Sequence, residues 1–230
     1  TGEPKGIVVT HTAVCTSIAY QAPVRDADDE PLRTLQFTSF AFDVNLNEIL
    51  TPLGRGGTVC VPNEAERLEG IADFINQSRS TSAALTPSFA RTIRPEQVPG
   101  LKTLELTGEA AGRDNLNTWL GHVRLLNGFG PTEGVVTCAL NVWDPAAEPS
   151  PTTIGFSRAH YSWIVEPDNI NRLAPIGCVG ELVLQGPAIA SHYLNDPEKT
   201  RASFVDGSVD WMPSSLSHMP QRLYRTGDLI

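Results

Sequence analysis

Asn127-Gly128-Phe129-Gly130-Pro131-Thr132-Glu133 follows a short apolar run, Val123-Arg124-Leu125-Leu126. The run reads as a buried strand, and the seven residues after it predict a tight turn leaving the end of a sheet. Two glycines around an aromatic let the backbone turn sharply and lie close against a flat ligand. Pro131 stiffens the exit, Thr132 offers a hydroxyl, and Glu133 offers a carboxylate where a cation or phosphate can sit. Open α/β sheets bind ligands outside the carboxyl ends of their strands, which is where this stretch falls. Taken alone it is equally an ordinary glycine-rich turn, so its neighbours decide.

Upstream, residues 35–39, 58–61, 82–85 and 103–106 read as strands, and helical patterns separate them. Leu46, Ile49, Leu50 and Leu53 recur at helical spacing behind Asp43, the natural N-cap. Leu68, Ile71, Ala72 and Ile75 form a stripe within 64–79, and further helices start at Pro87 and at Asp114 with Leu116, Trp119 and Leu120. Strands alternating with helices predict a mostly parallel sheet covered on both faces. Downstream of the run 135–142 the texture changes. Pro145, Pro149 and Pro151 interrupt the chain, and 161–165 and 181–184 read as strands between turns. The expected fold is α/β over residues 1–143, with a small antiparallel or barrel-like β-rich part over 144–230.

The chain opens on Thr1-Gly2-Glu3-Pro4-Lys5-Gly6, small turn-forming residues around one lysine, which suit a phosphate or a plain surface turn. It is no Walker P-loop, which needs Ser or Thr after its lysine. A strand at 7–10 follows, then a helix over 10–20 with Ala13, Val14, Ser17 and Ile18 inward and His11 as a cap or packing residue. The acidic run Asp26-Ala27-Asp28-Asp29-Glu30 reads as a solvated loop. Near the end, Thr226-Gly227-Asp228 reads as an aspartate on a tight turn.

The net charge of -9, with scattered Lys and Arg, argues against a nucleic-acid surface. No signal peptide and no long apolar span is present, which argues against a membrane and for the cytoplasm. Cys15, Cys60, Cys138 and Cys178 form no CxxC pair and read as reduced thiols, the first three as packing residues.

Five segments in order resemble the adenylation domains of nonribosomal peptide synthetases, members of the adenylate-forming superfamily. Thr1–Gly6 matches the TGxPKG end of the phosphate loop, Phe42-Asp43 the aromatic-Asp pair of the substrate helix, and Asn127–Glu133 the NxxGPTE motif. Gly180-Glu181-Leu182, Gly186, Tyr193, Pro197 and Thr200 match the family's GELxxxGxxxxxxYxxxPxxT, and Thr226-Gly227-Asp228 its TGD. His192 stands where the family usually has glycine, which implies an altered turn. The likeness covers all 230 residues but only the middle of a family member, so this chain alone is expected to be inactive.

The resemblance implies ATP-dependent activation of an amino acid as its adenylate, with Mg²⁺, for transfer to the phosphopantetheine thiol of a neighbouring peptidyl carrier domain beside condensation domains. It assigns Lys5 to the outgoing phosphates, Thr132 to the α-phosphate and Glu133 to Mg²⁺. Phe129 would stack on adenine in place of the family's usual tyrosine, Asn127 would meet the exocyclic amine, and Asp228 the ribose hydroxyls. Gly108, Glu109, Gly128 and Gly130 complete the nucleotide set. Asp43 would pair with the substrate's α-ammonium behind Phe42, and Val44, Asn47, Ala84, Glu105, Thr107, Gly128, Val136 and Thr137 would wall the side-chain pocket. In Thr103-Leu104-Glu105-Leu106-Thr107 alternation sets Glu105 and Thr107 on the face opposite Leu104 and Leu106, and the resemblance turns that face toward the substrate. A carboxylate there implies a substrate side chain with hydrogen-bond donors, and Gly128 and Ala84 leave it room. The alternatives are an acyl- or aryl-CoA ligase, which Asp43 argues against, and a nucleotide-binding fragment without turnover.

Overall fold

The computed structural model describes residues 5–25, 32–207, 209–212, 215 and 222–230. Residues 1–4 of the opening loop and the acidic run 26–30 lie outside the described residues. In chain order the first half holds β1 (Ile7–Val8), α1 (His11–Arg25), β2 (Arg33–Leu35), α2 (Val44–Gly54), β3 (Thr58–Cys60), α3 (Glu64–Glu69), α4 (Ile71–Ser78), β4 (Ser82–Leu85), α5 (Pro87–Ala90), β5 (Thr103–Thr107) and α6 (Arg113–Trp119). The second half holds β6 (Arg124–Phe129), β7 (Ala139–Val142), β8 (Phe156–Ser157), β9 (Tyr161–Glu166), β10 (Asn169–Leu173), β11 (Glu181–Gln185), β12 (His192–Tyr193), α7 (Pro197–Ser203), β13 (Phe204–Asp206) and β14 (Arg222–Leu229). These elements give the expected class, an α/β sheet flanked by helices and a separate antiparallel β-rich part. Among the described residues no helix is long and apolar enough to cross a membrane.

The chain forms two compact units that interleave in sequence, rather than parting at a single cut between 143 and 144. One unit comprises Ile18–Phe129 and Ala139–Phe156. Its sheet runs β3-β2-β4-β5-β6-β7-β8, parallel from β3 through β6, with β7 antiparallel to β6. All of β5 is buried, as a strand covered on both faces must be. Leu104 and Leu106 join Leu35, Ile75, Leu85, Leu116, Leu125 and Trp119 in the core. The Trp119 indole N–H donates to the Ala90 carbonyl at 3.1 Å, so the largest core side chain buries no unpaired donor.

Several sequence expectations shift here. The strand expected over 35–39 is Arg33–Leu35, because the amides of Phe37 and Thr38 donate to the Glu48 carboxylate instead of to a neighbouring strand. The single helix expected over 64–79 is two, broken at Gly70 (φ -127°, ψ 23°), which closes α3 and opens α4. Ile71 and Ile75 are buried as the stripe predicts, but Leu68, upstream of the break, is exposed. Helix α2 exists, yet its apolar stripe is not its most buried face. Asn45, Asn47, Glu48, Thr51 and Pro52 are buried, while Leu50 and Leu53 are exposed.

The other unit comprises Thr1–Ser17, Gly130–Cys138 and Ser157–Ile230. An antiparallel sheet, β10-β9-β11-β14-β13, packs Val165, Val183, Val209 and Leu223 with Trp163 and Trp211. A two-stranded ribbon pairs Ile7 with Tyr193 and Val8 with His192, so His192 is a strand residue and not part of a turn. In α1, Ala13 and Ser17 face inward, and Thr10 caps the helix by accepting from Ala13 N–H at 3.2 Å, while His11 is exposed. Cys15 is exposed too, two positions off the buried face, whereas Cys60 and Cys138 are buried as expected. None of the four cysteines is in a disulfide.

Candidate active-site residues of an adenylate-forming enzyme

In the α/β unit the parallel register sets Ala84 beside Glu105 and Thr107 beside Gly128. Strand alternation then turns Glu105 away from the Leu104–Leu106 core, into a cavity of about 30 Å³. Val44, Asn47, Ala84 and Glu105 line that cavity together, which unites four of the residues assigned to the side-chain pocket. Glu105 and Asn47 are 6% and 8% exposed, so neither is a solvated surface group. The space left at Gly128 is occupied by Glu105 itself: a Cβ at 128 would overlap the Glu105 Oε1 atom. Asp43 stands at the N-cap position of α2, yet its side chain makes no capping hydrogen bond and its backbone is already helical. Capping therefore does not account for this aspartate. Phe42 beside it is exposed.

On the α2 side of this wall, two residues have no counterpart in the sequence reading. Glu48 and Thr51, one and four positions past Asn47, also line the cavity. The Glu48 carboxylate accepts from the Gln36 side-chain amide, from the Phe37 and Thr38 amides, and from the Thr38 hydroxyl at 2.8 Å. Burial pushes its pKa up to about 7 in spite of those bonds from Thr38, Phe37 and Gln36. The available signal was a polar stripe, Val44, Asn47 or Glu48, Thr51, running at helical spacing beside the apolar one.

The predicted turn at 127–133 starts later than the glycines suggest. β6 continues through Asn127, Gly128 and Phe129, which pair with Asn141, Leu140 and Ala139 of β7. The Asn127 side-chain N–H donates to the Thr153 carbonyl at 2.8 Å. That fixes the amide's orientation and gives Oδ1 as the atom suited to accept from an exocyclic amine. Gly108 (φ +82°) ends β5, and Glu109 accepts from the Ser88 amide at 3.1 Å, tying that loop to the first turn of α5.

The turn itself belongs to the other unit. Gly130 is required there, since a Cβ would meet the Val136 carbonyl oxygen at 2.6 Å and the Cys138 nitrogen at 2.7 Å. A 3₁₀ turn, Thr132–Gly134, follows, and then Val135 (φ 55°) and Val136 (φ 73°) both lie in the left-handed region. For β-branched residues this is strained, at about 1–3 kcal/mol each. The 135–142 run is thus a strand only from Ala139. Hydrogen bonds hold the loop: Ser17 Oγ donates to the Val135 carbonyl at 2.9 Å, and Thr137 N–H donates to it at 3.0 Å. Val136 and Thr137, assigned to the pocket wall, are buried in this unit.

Glu133 is the polar centre of this loop, at 1% exposure. Lys5 Nζ donates to its Oε1 at 2.7 Å and the Tyr193 hydroxyl donates to the same oxygen. Burial alone would raise the Glu133 pKa, and the bonds from Lys5 and Tyr193 outweigh it and hold the carboxyl below its ordinary value. Burial would likewise lower Lys5, but Glu133 outweighs it and raises the ammonium. Tyr193 and Tyr224 are both raised, Tyr193 by burial and then its hydrogen bond to Glu133, Tyr224 by burial and then the Glu133 charge. Tyr193 matched a motif without a role in the sequence reading; its observed role is to hold Glu133.

Asp228 lies in β14 rather than on a tight turn. Glu181 pairs with Leu229 and Val183 with Arg225, so Thr226-Gly227-Asp228 is a bulge, with Gly227 at φ +77°. Glu181, buried, receives Arg225 Nε at 3.0 Å and the Gly227 amide at 3.2 Å, and Thr226 Oγ1 donates to the Leu182 carbonyl. Asp228 itself is exposed at the residue level, and partial desolvation of its carboxyl, followed by the charges of Glu133 and Glu181, raises its pKa. Among the described residues no cluster of three His, Cys, Asp or Glu could hold a metal. A lone buried carboxylate fits Mg²⁺ only where phosphate oxygens and water complete the octahedron.

The AMP-binding enzyme family matches residues 1–194. The chain is 44% identical over 230 residues to N-benzoylphenylalaninol synthetase apmA of Penicillium brevicompactum, and 41% identical over 230 residues to nonribosomal peptide synthetase atnA of Emericella nidulans. Both alignments cover all of this chain, but only 10% and 3% of those proteins. The nonribosomal peptide synthetase FmoA3 (S1046A), solved in an AMPPNP-bound form, matches with a TM-score of 0.81 at 26% identity, over 100% of this chain and 25% of that one. With five family motifs in order and a family match over most of its length, the chain belongs to the AMP-binding enzymes, as part of an adenylation domain of the nonribosomal peptide synthetase type.

Proposed function

We propose that the protein carrying this chain activates an amino acid with ATP, as the first step of nonribosomal peptide synthesis. A substrate carboxylate oxygen attacks the α-phosphorus in line, the bond to the β-phosphate breaks, pyrophosphate leaves, and an aminoacyl adenylate forms. The phosphopantetheine thiol of a carrier domain then takes the acyl group and AMP departs, with a condensation domain as the next partner. Such a reaction depends on positioning and on stabilising charge.

The observation that carries the reading is the cavity behind α2, which polar side chains help to line. Asn47 and Glu105 line it, and Asp43 heads the same helix without serving as its cap. An α-ammonium taken from water needs a carboxylate partner, which Asp43 supplies. Fatty and aryl acids need no such partner, so the CoA-ligase alternative fits these residues less well. Glu105 suits a side chain bearing N–H donors, with Val44, Ala84, Thr107 and Gly128 as the remaining wall on this unit.

On the nucleotide, Phe129 stacks on adenine and Asn127 Oδ1 accepts from its amine. Asp228 accepts from the ribose hydroxyls, and Gly108, Glu109 and Gly130 shape the surrounding backbone. Thr132 donates to the α-phosphate. Glu133 would hold Mg²⁺, which would supply charge neutralisation for the phosphates. Lys5 exchanges Glu133 for the departing phosphates, a change open to it because an ammonium stays charged at neutral pH with either partner. ATP and reduced thiols point to the cytoplasm as the compartment.

The test is amino-acid-dependent ATP–pyrophosphate exchange by the intact synthetase over a panel of amino, aryl and fatty acids. Exchange should require an amino acid with a donor-bearing side chain. Exchange driven only by aryl or fatty acids, or none with any amino acid, would overturn the reading.

A further inference from the structure

The cavity behind Glu105 does not end at the residues assigned to the pocket wall. On the sheet side, Ala84 and Glu105 form one row, and Thr34, Ser82 and Thr103 form the next, two residues nearer the strands' N-terminal ends. Two residues of strand span about 6–7 Å. On the helix side the same step is made by Asn47 and Thr51, four residues apart, or about 6 Å of rise. Both walls therefore descend together by one period, to a floor of threonine and serine residues.

Thr51 stands out on that floor. It is 4% exposed, and its Oγ1 has no hydrogen-bond partner among the described residues. A helical threonine commonly turns its hydroxyl onto the preceding turn's carbonyl; this one does not. A buried hydroxyl without a partner is costly, and such groups in native proteins call for an explanation. Its neighbour Glu48 has its oxygens engaged by Gln36, Phe37 and Thr38, so it frames the floor without needing a ligand.

We propose that Thr51 is a specificity-determining residue of the side-chain pocket, its hydroxyl bonding the polar end of a long amino-acid side chain that passes Glu105. This rests on the amino-acid activation proposed above and narrows the substrate class. The favoured substrate has a long side chain ending in an N–H donor, and its shorter homologues leave the floor unreached. A site built to bond a polar group discriminates strongly against analogues that lack it, because its own buried group is then left unpaired.

The experiment is pyrophosphate exchange by the intact synthetase over graded series: 2,3-diaminopropionate, 2,4-diaminobutyrate, ornithine and lysine; asparagine and glutamine; and norleucine as an apolar control of similar length. In the parent, kcat/KM should rise with length within the polar series and exceed that for norleucine. Thr51→Val, which keeps the shape and removes the hydroxyl, should cut kcat/KM for the longest favoured substrate about 10-fold. The shortest homologue and the KM for ATP should change less than about 2-fold. Thr51→Leu, which fills the floor, should move the optimum to a shorter member, and Thr51→Ser should keep the parental order. Thermal melts identify any variant that fails to fold, and Thr51→Ala, which also removes the hydroxyl, then takes its place in the comparison with the parent. If the parent exchanges with amino acids but Thr51→Val and Thr51→Leu keep its length preference, the role of Thr51 is overturned and the proposed function stands. If the parent exchanges with no amino acid, the functional reading fails and this inference with it.

Discussion

The two units hold their candidate site residues by different means. In the α/β unit, Ala84, Glu105, Thr107 and Gly128 are placed by strand register, and Asn47 and Thr51 by helical period. In the β-rich unit, Thr132, Glu133, Val136 and Thr137 sit on an irregular loop with two valines at positive φ, tied down by Ser17, Lys5 and Tyr193. The first kind of site tolerates changes of side chain, because the backbone is held by its ladder. The second depends on contacts with distant residues, and strain of this kind persists only where the surroundings over-determine it.

The largest expected effect tests the first unit. Asp43→Ala in the intact synthetase should cut kcat/KM for the amino acid by about 3–5 kcal/mol, hundreds-fold or more, with the KM for ATP unchanged. Because Asp43 makes no capping bond, the loss of about 1 kcal/mol in stability typical of a missing cap should be absent. A variant that activates its amino acid normally would show that Asp43 faces no ammonium.

Glu48 makes the same unit sensitive to pH. Its carboxyl holds a proton to about pH 7 in the fold but only to about 4.5 when unfolded. The folded state is favoured by this difference fully below pH 4.5, and the advantage is lost as pH rises to about 7. The change amounts to on the order of 3 kcal/mol. Denaturant midpoints of this chain should fall across that window, and Glu48→Gln should flatten the trend at a lower overall stability. A pH-independent midpoint in the parent would show the carboxyl to be ionised throughout.

A pair of glycine substitutions contrasts the units directly. Gly130→Ala drives a Cβ into backbone atoms of residues 136 and 138, which have nowhere to move, and should cost about 1–3 kcal/mol and most of the exchange activity. Gly128→Ala meets only the end of the Glu105 side chain, which can swing aside. It should leave stability within about 1 kcal/mol and alter amino-acid preference instead. Equal losses of stability in the two variants would erase the distinction between the sites.

The smallest effect concerns Tyr193. Removing its hydroxyl in Tyr193→Phe should weaken turnover by about 1 kcal/mol, roughly 5-fold, through Glu133. The hydroxyl helps hold the Glu133 pKa down, so the acid limb of the pH–rate profile should move to higher pH. An unmoved acid limb would show that Tyr193 only packs.

Much of the α/β unit was legible because its signals are local. β4 has the bounds read from its residues, and alternation in β5 places Glu105 opposite Leu104 and Leu106. The errors there come from competition that periodicity does not register. Gly70 breaks a continuous stripe, and the Glu48 carboxylate takes the amides that would have extended β2. In α2 an apolar stripe drew attention from the polar one that the fold buries.

The sequence by itself determined the alternation of strands with helices in the α/β unit, the faces that alternation assigns, and the family to which five spaced motifs belong. These follow from short-range periodicities and from residue chemistry. Only the tertiary structure decided that Lys5 and Tyr193 converge on one oxygen of Glu133, that Asp228 rides a bulge, and that a floor of threonine and serine residues lies beneath Glu105. Lys5 and Glu133 are 128 positions apart, and no local preference encodes a contact across that separation. It exists because the closing of each sheet and loop brings together groups whose burial is tolerable only when they are paired.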